Sequence, residues 1–246
     1  MTREDYAAVP VFLADPDVPF WGFGEVFVVV ATLFAAMAVS GNVAQAILGE
    51  SAKIGYWAVV EEVAAYLLML AAMKVIFFWQ QKPLFRTLAW TKTAFSAQSL
   101  AAIGFAVFFL SVALQLILRT PEMQNTPFEK MLNSGLASRL VITVFGITLG
   151  PAIEELLFRG FLQPVLVSTA GVLPGILITA ATFGFMHLAQ NSWQWQTGVI
   201  ITLVGFAFGM IRHVTGSTQA STIAHVAYNT LPFLLTSFQA GHPNSK

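Results

Sequence analysis

Apolar residues in this chain occur in long blocks that short polar breaks separate. A hydrocarbon core of about 30 Å takes about 20 helical residues to cross, and several blocks reach that length. The pattern predicts an all-α fold: a polytopic bundle of about seven transmembrane helices, in which an eighth span is compatible with the sequence. The predicted helices cover residues 20–39, 56–79, 97–118, 140–167, 173–188, 197–212 and 221–238.

Two of these helices contain residues that interrupt helices. Ser40, Gly41 and Asn42 are expected to end the first helix. Gly150 and Pro151 lie inside the fourth, where a proline removes a backbone donor and kinks the helix.

Composition supports the membrane assignment. Hydrophobic residues make up 57% of the 246 residues and charged residues only 10%, against about 25% charged in soluble domains. We expect a polar N-terminal segment at residues 1–19 and one transmembrane bundle at residues 20–246. The first segment lacks the basic region of a secretory signal, so the first helix is expected to be a retained anchor.

Charge restricts the partners and the orientation. Net charge is zero and no basic patch is present, which argues against nucleic acid and leaves membrane lipid as the surrounding partner. The loop at residues 80–92 carries Lys82, Arg86 and Lys92. Basic residues in a short loop indicate its cytoplasmic side, so we expect a multi-pass protein of the cell (inner) membrane with this loop in the cytoplasm.

Several ways of cutting a peptide within a membrane are disfavoured. The aspartates are Asp5, Asp15 and Asp17, all before the first span, so an intramembrane aspartyl protease lacks its catalytic pair. Cysteine is absent, which excludes thiolate chemistry and disulfides. No serine has a recognisable nucleophile setting, and the HExxH zinc motif does not occur.

The strongly polar groups at membrane depth in the second half are therefore the functional candidates, because ionisable residues within spans are costly and usually face a cavity. They are Glu154, Glu155, Arg159, His187, His225 and Asn229. Residues four apart share a helix face, so Glu155 can pair with Arg159 while Glu154 points elsewhere. His225 and Asn229 likewise share one face of the last helix.

Each candidate also has a structural interpretation. The glutamate–arginine pair could only stabilise a bundle, His187 could be a core histidine, and His225 with Asn229 could join helices. The occurrence of all three sites in one apolar half favours function. Glu61 and Glu62 in the second helix fit an interfacial or packing role better than a place in a cavity. Arg212, His213 and His242 suggest no chemistry.

The motifs EExxxR at Glu154–Arg159, FxxxH at Phe183–His187 and HxxxN at His225–Asn229 occur in that order on separate predicted helices. They resemble the CPBP family, the CAAX-protease and bacteriocin-processing intramembrane endopeptidases, which include the type II CAAX prenyl endopeptidases. The motif region extends over about residues 138–238.

This resemblance implies a polar cavity in which Glu154 activates water with help from His187. Glu155 and Arg159 would support the site, and His225 and Asn229 would stabilise the oxyanion. Glu154, His187 and His225 are also candidate ligands of a divalent metal such as zinc, since Glu, His and His with an open position form a known zinc set. The resemblance leaves metal-dependent and glutamate-dependent mechanisms open.

Two functions follow as alternatives. The first is an intramembrane endopeptidase acting on a peptide or protein substrate, such as a lipidated C-terminus or a leader peptide. The second is a non-proteolytic immunity or scaffold protein that binds a peptide in the same cavity. A transporter is weaker, because the polar residues do not recur in two related halves.

Overall fold

The computed structural model describes residues 19–49, 55–121 and 126–241, with side chains to residue 238. Within these ranges the chain is helical and contains no strand. The helices are α1 Phe23–Leu48, α2 Gly55–Trp79, α3 Leu84–Thr87, α4 Ala97–Ile117, α5 Pro127–Leu132, α6 Leu136–Ile147, α7 Leu149–Glu155, α8 Gln163–Ala170, α9 Val172–Met186, α10 Trp195–Thr215 and α11 Thr218–Gly241. A π-helical segment, Leu156–Leu162, joins α7 to α8, and a short 3-10 turn, Ala189–Asn191, follows α9.

The all-α prediction is confirmed, and apolar blocks locate most helices closely. Helices α2 and α4 begin and end within one residue of their predicted limits. Helix α1 is longer than predicted, because Ser40 and Asn42 do not end it. The Ser40 hydroxyl donates to the Met37 carbonyl at 3.2 Å, and the Asn42 amide donates to that of Ala38 at 2.7 Å. These polar groups bond within the helix, which continues to Leu48.

The fourth predicted helix is broken three residues before Pro151. Thr148 has φ −117° and ψ −84°, which ends α6 and begins α7. Pro151 then lies in the first turn of α7, where a helix does not need the missing N–H. The proline therefore fits the start of α7, and the direction of the chain changes at Thr148.

A π-helical segment follows directly after Glu155. Pro164 lacks the N–H that an α-helix would bond to the carbonyl of residue 160, and the widened π turn precedes this gap. The segment contains Arg159, and its residues Leu156 to Phe161 are buried. The sequence pattern predicted a kinked helix here and no π-helical segment.

Hydrogen bonds between distant parts of the chain define the two ends of the bundle. At one end the Trp21 indole donates to the Phe161 carbonyl at 2.9 Å, and the Thr218 hydroxyl donates to the Leu88 carbonyl at 2.6 Å. At the other end the Gly55 amide donates to the Ser134 hydroxyl at 2.9 Å. The basic loop at residues 80–92 therefore lies at the end that contains Trp21, and the described parts of the 119–135 connection, residues 119–121 and 126–135, lie at the opposite end.

The length and apolar composition of its helices indicate that the molecule is an integral membrane protein. Within the described residues, four are long and apolar enough to cross a bilayer: Phe23–Leu48, Ala97–Ile117, Leu136–Ala170 and Trp195–Thr215. Val172–Met186 is apolar but shorter. Large apolar side chains such as Phe27 and Phe78 are exposed on the outside, as lipid-facing residues are. The count of seven spans stays a prediction.

Helices α4 and α11 pack closely at Gly104. A Cβ placed on this residue would lie 2.1 Å from the Ala224 carbonyl oxygen and 2.9 Å from the Ala227 Cβ. Backbone atoms cannot move aside as a flexible side chain can, so the contact requires glycine. This close approach positions the helix that carries His225 and Asn229.

We therefore expect Gly104→Ala to destabilise the protein by about 1–3 kcal/mol, the usual cost of overpacking. Gly24→Ala is the matched control, because a Cβ there meets nothing within 4 Å. It should be neutral or slightly stabilising, since alanine favours helices over glycine. Thermal unfolding in detergent compares the two, and equal midpoints would contradict the close packing of α4 on α11.

Candidate active site

A fully buried ion pair lies where α7 passes into the π-helical segment. The side chains of Glu155 and Arg159 are both 0% exposed, and Arg159 Nη1 lies 3.0 Å from Glu155 Oε1. Arg159 Nη2 also donates to the Gly205 carbonyl of α10 at 2.8 Å. The pairing predicted from the four-residue spacing is thus present, and it connects this segment to α10.

Aromatic rings surround the guanidinium group. Its central carbon lies 4.6 Å from the ring centre of Phe183, 5.6 Å from that of Phe208 and 5.8 Å from that of Phe158. A cation over an aromatic face is attracted by the ring, and more strongly where water is excluded. The rings therefore offset part of the cost of burying Arg159.

His225 brings α11 to the same carboxylate. Its Nδ1 lies 3.0 Å from Glu155 Oε1, and because a carboxylate oxygen only accepts, Nδ1–H is the donor. The imidazole stacks on Phe208 with ring centres 4.6 Å apart. Glu155 thus receives Arg159 from the segment that follows it and His225 from α11, and the Nε2 of His225 lies on the side of Glu154.

Glu154 has a different environment from its neighbour. Its side chain is 20% exposed and lines a cavity, and its Oε2 lies 3.8 Å from His225 Nε2. The predicted separation of the two glutamates onto different faces is therefore present. One carboxylate is held by Arg159 and His225 in the protein interior, and the other is accessible.

His187 lies at the C-terminal end of α9 and has a defined orientation. Its Nδ1 lies 2.8 Å from the Phe183 carbonyl oxygen, so Nδ1–H donates and Nε2 can accept. Asn191 donates its side-chain amide to the His187 carbonyl at 2.8 Å. Phe183 contacts both imidazoles, with ring centres 4.5 Å from His187 and 5.9 Å from His225.

Asn229 lies one turn after His225 and connects α11 to α6. Its Nδ2 donates to the Gly146 carbonyl at 2.8 Å, just before the break at Thr148. An amide nitrogen has a second hydrogen, and the side chain borders the cavity. Asn229 thus fixes the position of the break while it retains one donor.

The cavity has a volume of about 600 Å³, which is within the range of small-ligand sites. Its polar lining includes Glu62, Glu154, His187, His225 and Asn229, and its other walls are largely apolar. Residues of the 119–135 connection and of the 3-10 turn also line it, so the cavity reaches the end of the bundle opposite the basic loop. Glu155 and Arg159 lie behind its wall.

The expected interfacial or packing role of Glu62 is wrong, because Glu62 lines this cavity. Tyr66, one turn later, donates its hydroxyl to Glu62 Oε1 at 2.9 Å. The four-residue spacing of Glu62 and Tyr66 was the available signal in the sequence. Glu61 lies elsewhere, with Oε2 3.6 Å from where a Cβ of Gly41 would be.

The three candidate zinc ligands, Glu154, His187 and His225, do not form a metal-binding group in the described part of the chain. Among the residues the structure describes, no three His, Asp or Glu side chains lie together as ligands of one metal ion. Glu154 and His225 are neighbours, but His187 does not complete a group with them, and the second nitrogen of His225 is bonded to Glu155. The geometry therefore does not support the metal-dependent mechanism that the resemblance left open.

Comparison with known proteins agrees with this geometry. Residues 136–231 match the family model described as type II CAAX prenyl endopeptidase Rce1-like. We refer to this matched stretch as the Rce1-like domain. The predicted resemblance to CAAX proteases is confirmed, and the matched family is one of peptide hydrolases that act on membrane-associated substrates. No curated protein and no solved structure matches the chain.

The Rce1-like domain contains the break at Thr148, the π-helical segment and the six predicted site residues. Helices α1, α2 and α4 lie outside the matched residues, and α2 nonetheless supplies Glu62 to the cavity. The site is therefore built from the domain and from a preceding helix that the family match does not include.

Arg159→Ala should destabilise the Rce1-like domain strongly, by about 3–5 kcal/mol, because it leaves the Glu155 carboxylate buried without its cation. Replacing both partners, as Glu155→Gln with Arg159→Met, should recover part of the loss. Thermal unfolding in detergent measures both variants. The exposed Arg86 provides the control, and an Arg159→Ala midpoint as close to wild type as that of Arg86→Ala would contradict the buried pair.

Proposed function

We propose that this protein is an intramembrane endopeptidase that hydrolyses a peptide bond of a membrane-associated substrate with a water molecule activated by Glu154. The contrast between the two glutamates supports this proposal best. Glu155 is buried against Arg159 and His225, whereas Glu154 borders the cavity that His187 also lines, with His225 Nε2 3.8 Å away. Only the second carboxylate is accessible to water and to a substrate.

The reaction follows from these positions. Glu154 takes a proton from water as the water oxygen forms a bond to the scissile carbonyl carbon. The carbonyl oxygen becomes an oxyanion, and the carbon–nitrogen bond then breaks as the proton passes from Glu154 to the leaving amine. A positioned carboxylate that acts first as base and then as acid is a common form of general acid–base catalysis.

His187 and His225 are assigned different parts. His187 presents Nε2 as an acceptor because Nδ1–H is bonded to Phe183, so it can orient the water and take its second proton when the product carboxylate forms. His225 gives Nδ1–H to Glu155 and directs its other nitrogen, Nε2, toward the space beside Glu154, where we place the oxyanion. Asn229 adds its second amide hydrogen. Preorganised donors of this kind are commonly a large contribution to catalysis.

The cavity walls indicate the kind of substrate. Apolar residues such as Phe145, Ile200 and Val204 face the same space as the carboxylates. An extended peptide with apolar groups, including a lipidated C-terminus, would bury those groups while its backbone approaches Glu154. With the loop at residues 80–92 in the cytoplasm of a cell (inner) membrane protein, the cavity would be reached from the opposite side.

Glu154→Gln should abolish cleavage while the protein remains folded, because glutamine cannot accept the proton of water. We expect kcat to fall by about 10²–10⁴-fold, the usual contribution of a general base. Internally quenched peptides with and without lipid anchors, incubated with purified protein in detergent, measure this change. Glu61→Gln is the matched control, since Glu61 does not line the cavity.

Full activity of Glu154→Gln would refute the water-activating role. If wild-type protein binds a peptide but cleaves no member of such a library, the non-proteolytic binding alternative gains.

Activity should survive removal of divalent metal ions. The carboxylate and the histidines suffice for the proposed steps, and the three candidate ligands do not form a metal site in the described part of the chain. Cleavage is measured before and after dialysis against a strong chelator. Loss of activity that zinc restores would contradict a mechanism carried by Glu154 alone.

A further inference from the structure

The cavity contains a second carboxylate that the proposed reaction does not use. Glu62 of α2 borders the same space as Glu154 and His187, although α2 lies outside the Rce1-like domain. A carboxylate at this depth in an apolar helix is costly, so its position calls for a physical reason.

Glu62 is held in a fixed position. Tyr66 donates its hydroxyl to Glu62 Oε1 at 2.9 Å, and Tyr66 is buried. The tyrosine ring stacks on Phe145, with centres 6.3 Å apart and planes at 20°. The Glu62 carboxylate is therefore hydrogen-bonded to a tyrosine whose ring is itself packed against Phe145, as expected of a group that must stay beside a partner.

The environment of His187 identifies that partner. With Nδ1–H bonded to Phe183, a second proton on the ring must go to Nε2, and the imidazolium then needs an anion nearby. Glu155 is already paired with Arg159 and His225, and Glu154 acts as the base. Of the glutamates that line the cavity, Glu62 is left, and it borders the same space as His187.

We propose that Glu62, held by Tyr66, is a positioning residue that stabilises the protonated form of His187 during catalysis. This inference rests on the proposed function, in which His187 accepts a proton near the water. The arrangement resembles the use of a carboxylate to orient and balance a catalytic histidine, with Glu62 supplied by a helix outside the family domain.

The test is a double-mutant cycle on peptide cleavage. Glu62→Gln should lower kcat by about 10- to 100-fold, up to the lower end of what general acid–base catalysis contributes, with a smaller change in KM. In a His187→Gln background the same substitution should change the residual kcat by less than about twofold, because residues that act together are not additive. Glu62→Asp should keep part of the activity, and Tyr66→Phe should show a smaller loss than Glu62→Gln.

Glu61→Gln is the control, since it removes the adjacent carboxylate, which does not line the cavity. An equal loss in both backgrounds, or an equal loss from Glu61→Gln, would overturn the proposal in favour of a general structural role. Wild-type kcat in Glu62→Gln would also overturn it, and if Glu154→Gln is still inactive in that experiment, the proposed function stands.

A second measurement does not depend on cleavage. In protein labelled with ¹⁵N-histidine, His187→Gln identifies the His187 ring signals. We expect Glu62→Gln to shift them and Glu61→Gln to leave them in place. Unmoved His187 signals would overturn the inference even if no substrate has been found.

Discussion

The buried ion pair of Glu155 and Arg159 is the interaction on which the site depends. Each ion loses several kcal/mol of hydration in an apolar interior, and mutual attraction offsets this loss only when the geometry is good and other polar partners are present. Here Arg159 also bonds to Gly205 and lies over Phe183, while Glu155 also receives His225. The pair therefore brings residues of α9, α10 and α11 to the π-helical segment.

This arrangement explains how two adjacent glutamates can differ. A helix directs neighbouring side chains about 100° apart, so Glu154 and Glu155 cannot face the same environment. Glu155 points into the protein and is neutralised there, and Glu154 is left facing the cavity. His225 lies between them, with one nitrogen on each side. The buried pair thus sets the orientation of the groups that we assign to the reaction.

The cavity also depends on breaks in regular structure. Thr148 ends α6 beside the carbonyl of Gly146, which accepts the amide of Asn229. The π-helical segment then places Arg159 against α10. An uninterrupted helix through this region would give the motif residues a different relative orientation, so the local irregularities are part of how the site is built.

By itself the sequence determined the helical fold, the positions of most helices and the membrane environment, because long apolar segments are a strong signal. It also singled out the six polar residues of the Rce1-like domain as candidates, because polar and charged residues are rare inside such segments. Helix periodicity also predicted the pairing of Glu155 with Arg159. Tertiary structure alone decided that Ser40 and Asn42 continue α1, since their side chains bond to its own carbonyls. It also decided that Glu62 enters the cavity, because the rotation of α2 against α6 cannot be deduced from a helix whose apolar residues are spread over all of its faces.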